Sequence, residues 1–207
     1  MLKRVLEHVY CRFRLLKMSF CALRKKSLIS PFARVSKGGA IFIGCRVTVK
    51  KGLLDAVTGV IDLRDGVWLN DGVELSAYGR ITVGEGTTIQ RNGTINGDVS
   101  IGKECLLAPN VFISSASHVH DRYPGLSIRE QERRISRDDF YESYNKSIWI
   151  GDDVWIGANV VIMPGIKVGG HVVIGANSVV TRDIPVGAIV AGAPAKIIKF
   201  RFGFEDV

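Results

Sequence analysis

Two of the four histidines in this 207-residue chain stand two apart, in Ser117-His118-Val119-His120-Asp121. An imidazole titrates near neutrality, so it can take a proton from a weak nucleophile and return it to a leaving group. Two imidazoles beside a carboxylate are also metal-ligand types. The other two histidines, His8 and His171, lie far along the chain, and the cysteines Cys11, Cys21, Cys45 and Cys105 show no CxxC or ligand spacing. No metal site is therefore expected. Residue type alone leaves His118 and His120 open between chemistry and a solvated loop.

What must position these residues is a repeat. Aliphatic side chains recur every sixth residue at Ile150, Ile156, Ile162, Val168, Ile174 and Val180, and a second row runs two ahead at Ile148, Val154, Val160, Ile166 and Val172. Glycine follows the first row at Gly151, Gly157, Gly169 and Gly175. A period of six is neither helical nor a plain strand alternation; it is that of a parallel β-helix, in which three hexads close one triangular coil. The beat is present earlier, at Leu63, Leu69 and Leu75 and again from Ile89 to Ile113, the two runs differing in phase by two residues. A bulged corner is expected at the slip, Tyr78-Gly79-Arg80, and Gly52 to Val60 reads as a ragged coil. The predicted core runs from about 43 to 113 and from 148 to about 183. Between Ile113 and Ile148 the period vanishes, and a break of that length is an excursion loop, 114–147, with the two histidines at its start. Its charged run, Arg129 to Arg134 and Arg137 to Asp139, reads mostly as solvated surface, and Tyr141 and Tyr144 either line a cleft or pin the loop.

The totals fit one soluble all-β solenoid domain: 46% hydrophobic residues, 23 glycines and no long uncharged apolar run. Four thiols without pairing motifs read as reduced and mostly buried, in keeping with a cytoplasmic protein. The net charge of +8 is all N-terminal, because residues 1–37 hold ten Lys or Arg against Glu7, and the remaining residues carry 18 basic and 19 acidic side chains. Helix is expected to about Lys26, with Leu2, Val5, Leu6, Val9, Phe13, Leu16 and Phe20 on one stripe and Pro31 beyond its end. The segment lacks a signal peptide's uninterrupted apolar centre. Two readings stand open: a cap over the first coil, or a helix at residues 1–26 in peripheral contact with an anionic membrane. Nothing favours nucleic acid. The expected organisation is a basic amphipathic segment, 1–37, a β-helix domain, 38–199, and a tail, 200–207.

Trp155-Ile-Gly-Ala-Asn-Val-Val-Ile-Met-Pro-Gly, Ile174-Gly-Ala-Asn-Ser-Val-Val-Thr-Arg-Asp-Ile-Pro and Ala191-Gly-Ala-Pro-Ala-Lys resemble the hexapeptide-repeat acyltransferases, most of all the galactoside and maltose O-acetyltransferase branch. Cys105-Leu-Leu-Ala-Pro-Asn-Val-Phe-Ile-Ser-Ser-Ala-Ser-His118 is similar to the stretch leading into that branch's catalytic histidine. The resemblance implies a left-handed parallel β-helix, a homotrimer, acetyl-CoA as acyl donor in a groove between subunits, no metal, and a loop that reaches toward a neighbouring subunit. It implies His118 as general base and a sugar or glycan hydroxyl as acceptor, in a setting such as cell-surface polysaccharide biosynthesis. On the donor side it implies Ala158 and Ala176 beside the pantetheine arm, Thr181, Arg182 and Lys199 near the phosphates, and Pro194 near the adenine, with the Ala158 amide as oxyanion donor. On the acceptor side it implies Trp155 near the histidine, the alternative being a wedge between subunits, and Tyr141 is the candidate at the cleft from its place in the loop. The family's acceptor-binding Asp has no gap-free counterpart, and Asn92 is the nearest candidate for its Asn. These departures bear on the acceptor and leave the donor side whole.

Rival functions share the scaffold. N-acetylation of a nucleotide-linked amino sugar would lean less on the base, and antibiotic or serine acetylation would need another acceptor pocket. A zinc-dependent carbonic-anhydrase-like relative would need three bridging histidines. A non-catalytic scaffold or binding protein would have no use for both His118 and the basic pair Arg182 and Lys199.

Overall fold

The computed structural model describes residues 2–36, 38–201 and 203–204, and side chains from Val9 onward. Lys37, residues 202 and 205–207 of the tail, and the side chains of Leu2, Val5, Leu6 and His8 lie outside the described residues. Short parallel strands stack into a three-faced solenoid of about eight coils. Face one starts at Leu28–Ile29 and descends through Thr48–Val49, Trp68–Leu69, Thr88–Ile89, Leu106–Leu107, Trp155–Ile156 and Val173–Ile174 to Ala188–Gly192. Face two runs from Arg34–Val35 through Phe112–Ser114 to Val179–Val180, and face three from Ala40–Ile43 to Lys167–Val168.

Each predicted row is a column of the core. Leu75, Ile95, Ile113 and Ile162 stack down face two with 1% exposure or less. Each such side chain, fully removed from water, contributes about 1.5–3 kcal/mol. β-Branched residues suit these slots, since one face of every strand is buried and the backbone pairs with the coils above and below.

The phase slip has a structural cause. Leu28 pairs with Thr48, Thr48 with Trp68 and Trp68 with Thr88, so the early coils take twenty residues each. Thr88 to Leu106 and Trp155 to Val173 take eighteen. The change falls at the expected bulge: Ala77 pairs with Gly97 and Ile81 with Val99, so Tyr78, Gly79 and Arg80 oppose Asp98 alone. Gly52 to Val60 is ragged, as expected: on face two Arg34 pairs with Leu53 and Leu53 with Glu74, spacings of nineteen and then twenty-one residues, and Val57 turns at φ 42°.

Glycines of the hexad are required by coil-to-coil approach. A Cβ on Gly157 would lie 2.5 Å from the Ala176 amide nitrogen. Left-handed backbone falls instead on Asn92, Asn110, Asn159 and Asn177, at φ between 58° and 61°. Asparagine tolerates that region, and these four pass side-chain hydrogen bonds down one corner: Asn92 to Asn110 (3.2 Å), Asn110 to Asn159 (3.0 Å) and Asn159 to Asn177 (2.9 Å).

Helix α1, Leu2–Arg24, covers the open first coil. Leu15 and Ala22 are buried in the core and Met18 packs against it. The Arg14 guanidinium donates to the carbonyls of Ser36 (2.6 Å), Gly38 (2.8 Å) and Gly39 (2.9 Å), satisfying the first coil's corner between Arg34–Val35 and Ala40–Ile43, which has no coil above it. The capping face is not the apolar stripe seen in the sequence: Val9, Phe13, Leu16 and Phe20 point away from the prism. No helix of the described residues is long and apolar enough to cross a membrane. Of the four free thiols, expected to be mostly buried, only Cys105 is; Cys11 and Cys45 are half-buried and Cys21 is exposed.

At the other end the chain turns back, and Ala195–Phe200 pairs antiparallel with Ala188–Gly192. Arg201 donates to Asp153 (2.9 Å), which also accepts from His171 Nδ1 (2.8 Å), and Phe204 stacks on the His171 ring.

Candidate active site

The excursion leaves face two at Ser114 and is pinched shut at its base. Ala116 bridges Asn145 antiparallel, the Ser117 amide donates to the Tyr144 carbonyl (2.8 Å), and the Ser115 hydroxyl reaches Asn145 Oδ1 (2.5 Å). Two short helices follow, α2 at Ile128–Arg134 and α3 at Arg137–Tyr144. Ser127 caps α2 in a capping box with Glu130, and Ser136 caps α3. The loop has its own polar centre in Gln131, which is buried. Its Oε1 accepts from the amides of Arg122 and Tyr123, and its Nε2 donates to the carbonyls of His120 and Leu126. One side chain thus satisfies four backbone groups of a segment that has no sheet to do so.

This fold-back encloses an open cavity of about 1020 Å³ between the loop and face two. The prism supplies Ser76, Asn96 and Ser114, which are direct register partners on successive coils, with Phe112, Met163 and Pro164 beside them. The loop supplies Ile135, Arg137, Phe140 and Tyr141. The wall is amphipathic: aromatic rings for the flat faces of a ligand, and hydroxyls and an amide for its polar edge.

His118 stands at the mouth, its side chain 79% exposed, with Nδ1 2.5 Å from Glu132 Oε1. A carboxylate can only accept, so the ring donates from Nδ1, and in a neutral ring Nε2 keeps the lone pair. His120 does other work: its Nδ1 donates to the His118 carbonyl (2.9 Å) and its ring meets Tyr144 edge-on. The Tyr144 hydroxyl donates to Asp121 (2.6 Å), which lowers the Asp121 carboxyl and raises the phenol from their ordinary values. Tyr144 pins the loop, whereas Tyr141 faces the cavity. Among the described residues no three metal-ligating side chains gather.

The predicted site residues divide. His118 and Tyr141 line the cavity. Asn92 does not: it heads the asparagine ladder, and Asn96 takes the cavity position. Trp155, expected near the histidine, projects from face one between Leu106 and Val173. Ala158 and Ala176 occupy the corner between faces one and two, and Thr181 and Arg182 the corner that ends face two. Thr181 follows Val180, the partner of Ile162, and so lies one coil below Met163 of the cavity wall. Pro194 sits in the terminal hairpin turn, and Lys199 pairs with Ile189 on face one, away from Arg182. Both cations are free of ion pairs among the described residues.

Sequence reasoning missed Glu132, Gln131, Arg137 and the polar column. Ser76, Asn96 and Ser114 each directly follow an inward aliphatic residue, and that recurring polar slot was a readable signal. Glu132 had none, since only the folding of the loop brings it to His118.

Comparison with known proteins agrees with the fold. Residues 147–182 match the family described as bacterial transferase hexapeptide (six repeats). The chain is 33% identical over 148 residues to WbbJ of Escherichia coli strain K12, an O-acetyl transferase provisionally assigned to lipopolysaccharide biosynthesis, with 68% of this chain and 72% of WbbJ covered. The chain belongs to the hexapeptide-repeat acetyltransferases. It is also 36% identical over 137 residues to the galactoside O-acetyltransferase of the same strain, over 65% of this chain and 61% of that relative's length. A solved galactoside acetyltransferase in complex with coenzyme A superposes with a TM-score of 0.53 at 33% identity, over 70% of each chain. Within this acetyltransferase family the excursion loop, 114–147, is the segment of this chain that turns one face of the solenoid into a cavity.

Proposed function

We propose that this hexapeptide-repeat protein transfers acetyl from acetyl-CoA to a hydroxyl of a sugar or glycan acceptor. The observation that carries the reading is the pair of His118 and Glu132 at the mouth of an amphipathic cavity. A sugar hydroxyl is a weak nucleophile at neutral pH and a thioester is already activated, so one base is the main requirement. His118 Nε2 takes the hydroxyl proton as the oxygen attacks the thioester carbonyl carbon; the C–S bond then breaks and the thiolate sulfur takes the proton. Acceptor and donor meet directly, so no nucleophilic serine or cysteine is needed.

Asn96, Ser76 and Ser114 suit the hydroxyls of a sugar, and Tyr141 and Phe112 its apolar face. Thr181 and Arg182, one coil below, suit the donor's phosphates, and Ala158 and Ala176 leave the neighbouring corner low enough for its pantetheine arm. Similarity to a coenzyme A-bound galactoside acetyltransferase supports the donor, and similarity to WbbJ supports a role in cell-surface polysaccharide biosynthesis. The exposed Leu106 and Trp155 on face one, with half-buried Val173 on the next coil, fit a homotrimer interface. The setting is the cytoplasm, with residues 1–26 toward an anionic membrane. Calorimetric titration with acetyl-CoA, followed by a thiol-release screen across sugars, nucleotide sugars and amines, tests the reading. Failure to bind the donor overturns it, and turnover with amines alone would make the acceptor an amino sugar.

A further inference from the structure

We infer that α1 is a two-sided element: one face caps the solenoid, and the opposite face docks on an anionic lipid bilayer. This deepens the membrane setting proposed above by identifying the side chains that make the contact.

The buried residues Leu15 and Ala22, with Met18, lie on one side of the helix. Val9, Phe13, Leu16, Phe20 and Leu23 lie on the other, between 59% and 69% exposed. Their alternating spacing of four and three residues is a single continuous stripe. A cap needs one apolar face, and this helix already has it, so the second stripe is left without a use inside the subunit. Burying large aromatic and aliphatic groups is a considerable driving force, and leaving them in water forgoes it.

Charge selects the occupant. On a helical wheel Arg12 borders one edge of the stripe, and Lys17 and Arg24 border the other. The Arg24 guanidinium lies 5.5 Å from the centre of the Phe20 ring, and Lys25 donates to the Ile43 carbonyl beneath. With ten cations and one acid in residues 1–37, two copies of this face would repel one another. Acidic headgroups would attract them, while the apolar ridge enters the boundary with the acyl chains. In a three-fold trimer all copies of α1 fall at the same end, so the contacts would reinforce one another.

The test is co-sedimentation of the full chain with vesicles of equimolar phosphatidylglycerol and phosphatidylcholine, and with phosphatidylcholine alone. The comparison is a triple variant, Phe13→Gln, Leu16→Gln and Phe20→Gln, which keeps good helix formers and leaves Leu15, Met18 and Ala22 in place. Binding to the acidic vesicles only, weakened by salt and reduced about tenfold or more in the variant, is the expected result. The inference is overturned if the full chain ignores acidic vesicles, or if the variant binds as well as the parent. It is equally overturned if the variant instead halves the particle mass in solution, which would make the stripe a contact between copies. An unchanged melting temperature and donor binding in the variant separate this outcome from any failure of the acetyl-transfer reading.

Discussion

Glu132 Oε1 lies 2.5 Å from His118 Nδ1, across fourteen residues of chain and between an irregular strand of loop and a helix. That contact favours a neutral His118 ring with its proton on Nδ1 and Nε2 free, the form the proposed base needs. Replacing His118 with Ala removes the proposed base and should lower turnover with an alcohol acceptor by about 10²–10⁴. A smaller loss is expected with an amine, which a thiol-release assay on paired acceptors would read.

Glu132 acts through His118, so its variants separate orientation from binding. Glu132→Gln offers an amide that can donate to Nδ1 and so favours the wrong tautomer, an effect worth up to about 10⁴ in kcat where it has been measured in a related constellation. The fall should be in kcat, with KM for the donor held. An equal rise in KM would mean that Glu132 only shapes the cavity.

Gln131→Ala should loosen the loop without melting the prism. It strands two backbone amides and two carbonyls in a partly buried segment, each at a cost of about 1–3 kcal/mol where water cannot replace the partner. Hydrogen exchange is expected to rise across residues 120–131 and activity to fall, while the melting temperature of the solenoid stays. Unchanged exchange there would contradict the role given to Gln131.

Donor contacts are tested at exposed positions, where the fold is not at risk. Ala176→Trp fills the corner and should abolish acetyl-CoA binding in calorimetry. Arg182→Ala removes one proposed charge-assisted contact, and at about 1.5–3 kcal/mol it should weaken donor affinity roughly tenfold or more. Normal affinity in both variants would move the donor elsewhere.

At the C-terminal end, the hydrogen bond from His171 and then the Arg201 guanidinium hold the Asp153 carboxyl below the usual carboxylate range. The folded pKa is the lower one, so the unfolded chain binds more protons in acid. This contribution is present above the ordinary carboxylate pKa and is lost as pH falls through the folded value. Because the carboxylate is about half exposed, solvent limits the effect to about 1 kcal/mol or less. Asp153→Asn should flatten that acid limb in pH-dependent melting; an identical limb would remove Asp153 from the account.

The six-residue beat alone determined the solenoid, its core columns and the place of the loop, because a coil that stacks on itself repeats its burial pattern in the chain. Even the bulge at Tyr78 to Arg80 was legible, as a two-residue slip between runs. His118 and the proposed donor corner were named by resemblance in contiguous segments. Tertiary structure alone decided the rest. Asn92 and Asn96 differ by four residues and look alike in the sequence, yet one turns a corner at positive φ and the other faces the cavity. Glu132 and Gln131 sit in a run of charges with no period, so only the folded loop could separate the buried glutamine and the cavity glutamate from their solvated neighbours. On α1 the sequence displays a strong apolar stripe, but capping is a matter of which small and medium residues fit the first coil. Leu15, Met18 and Ala22 meet that demand, and the stripe is left facing outward.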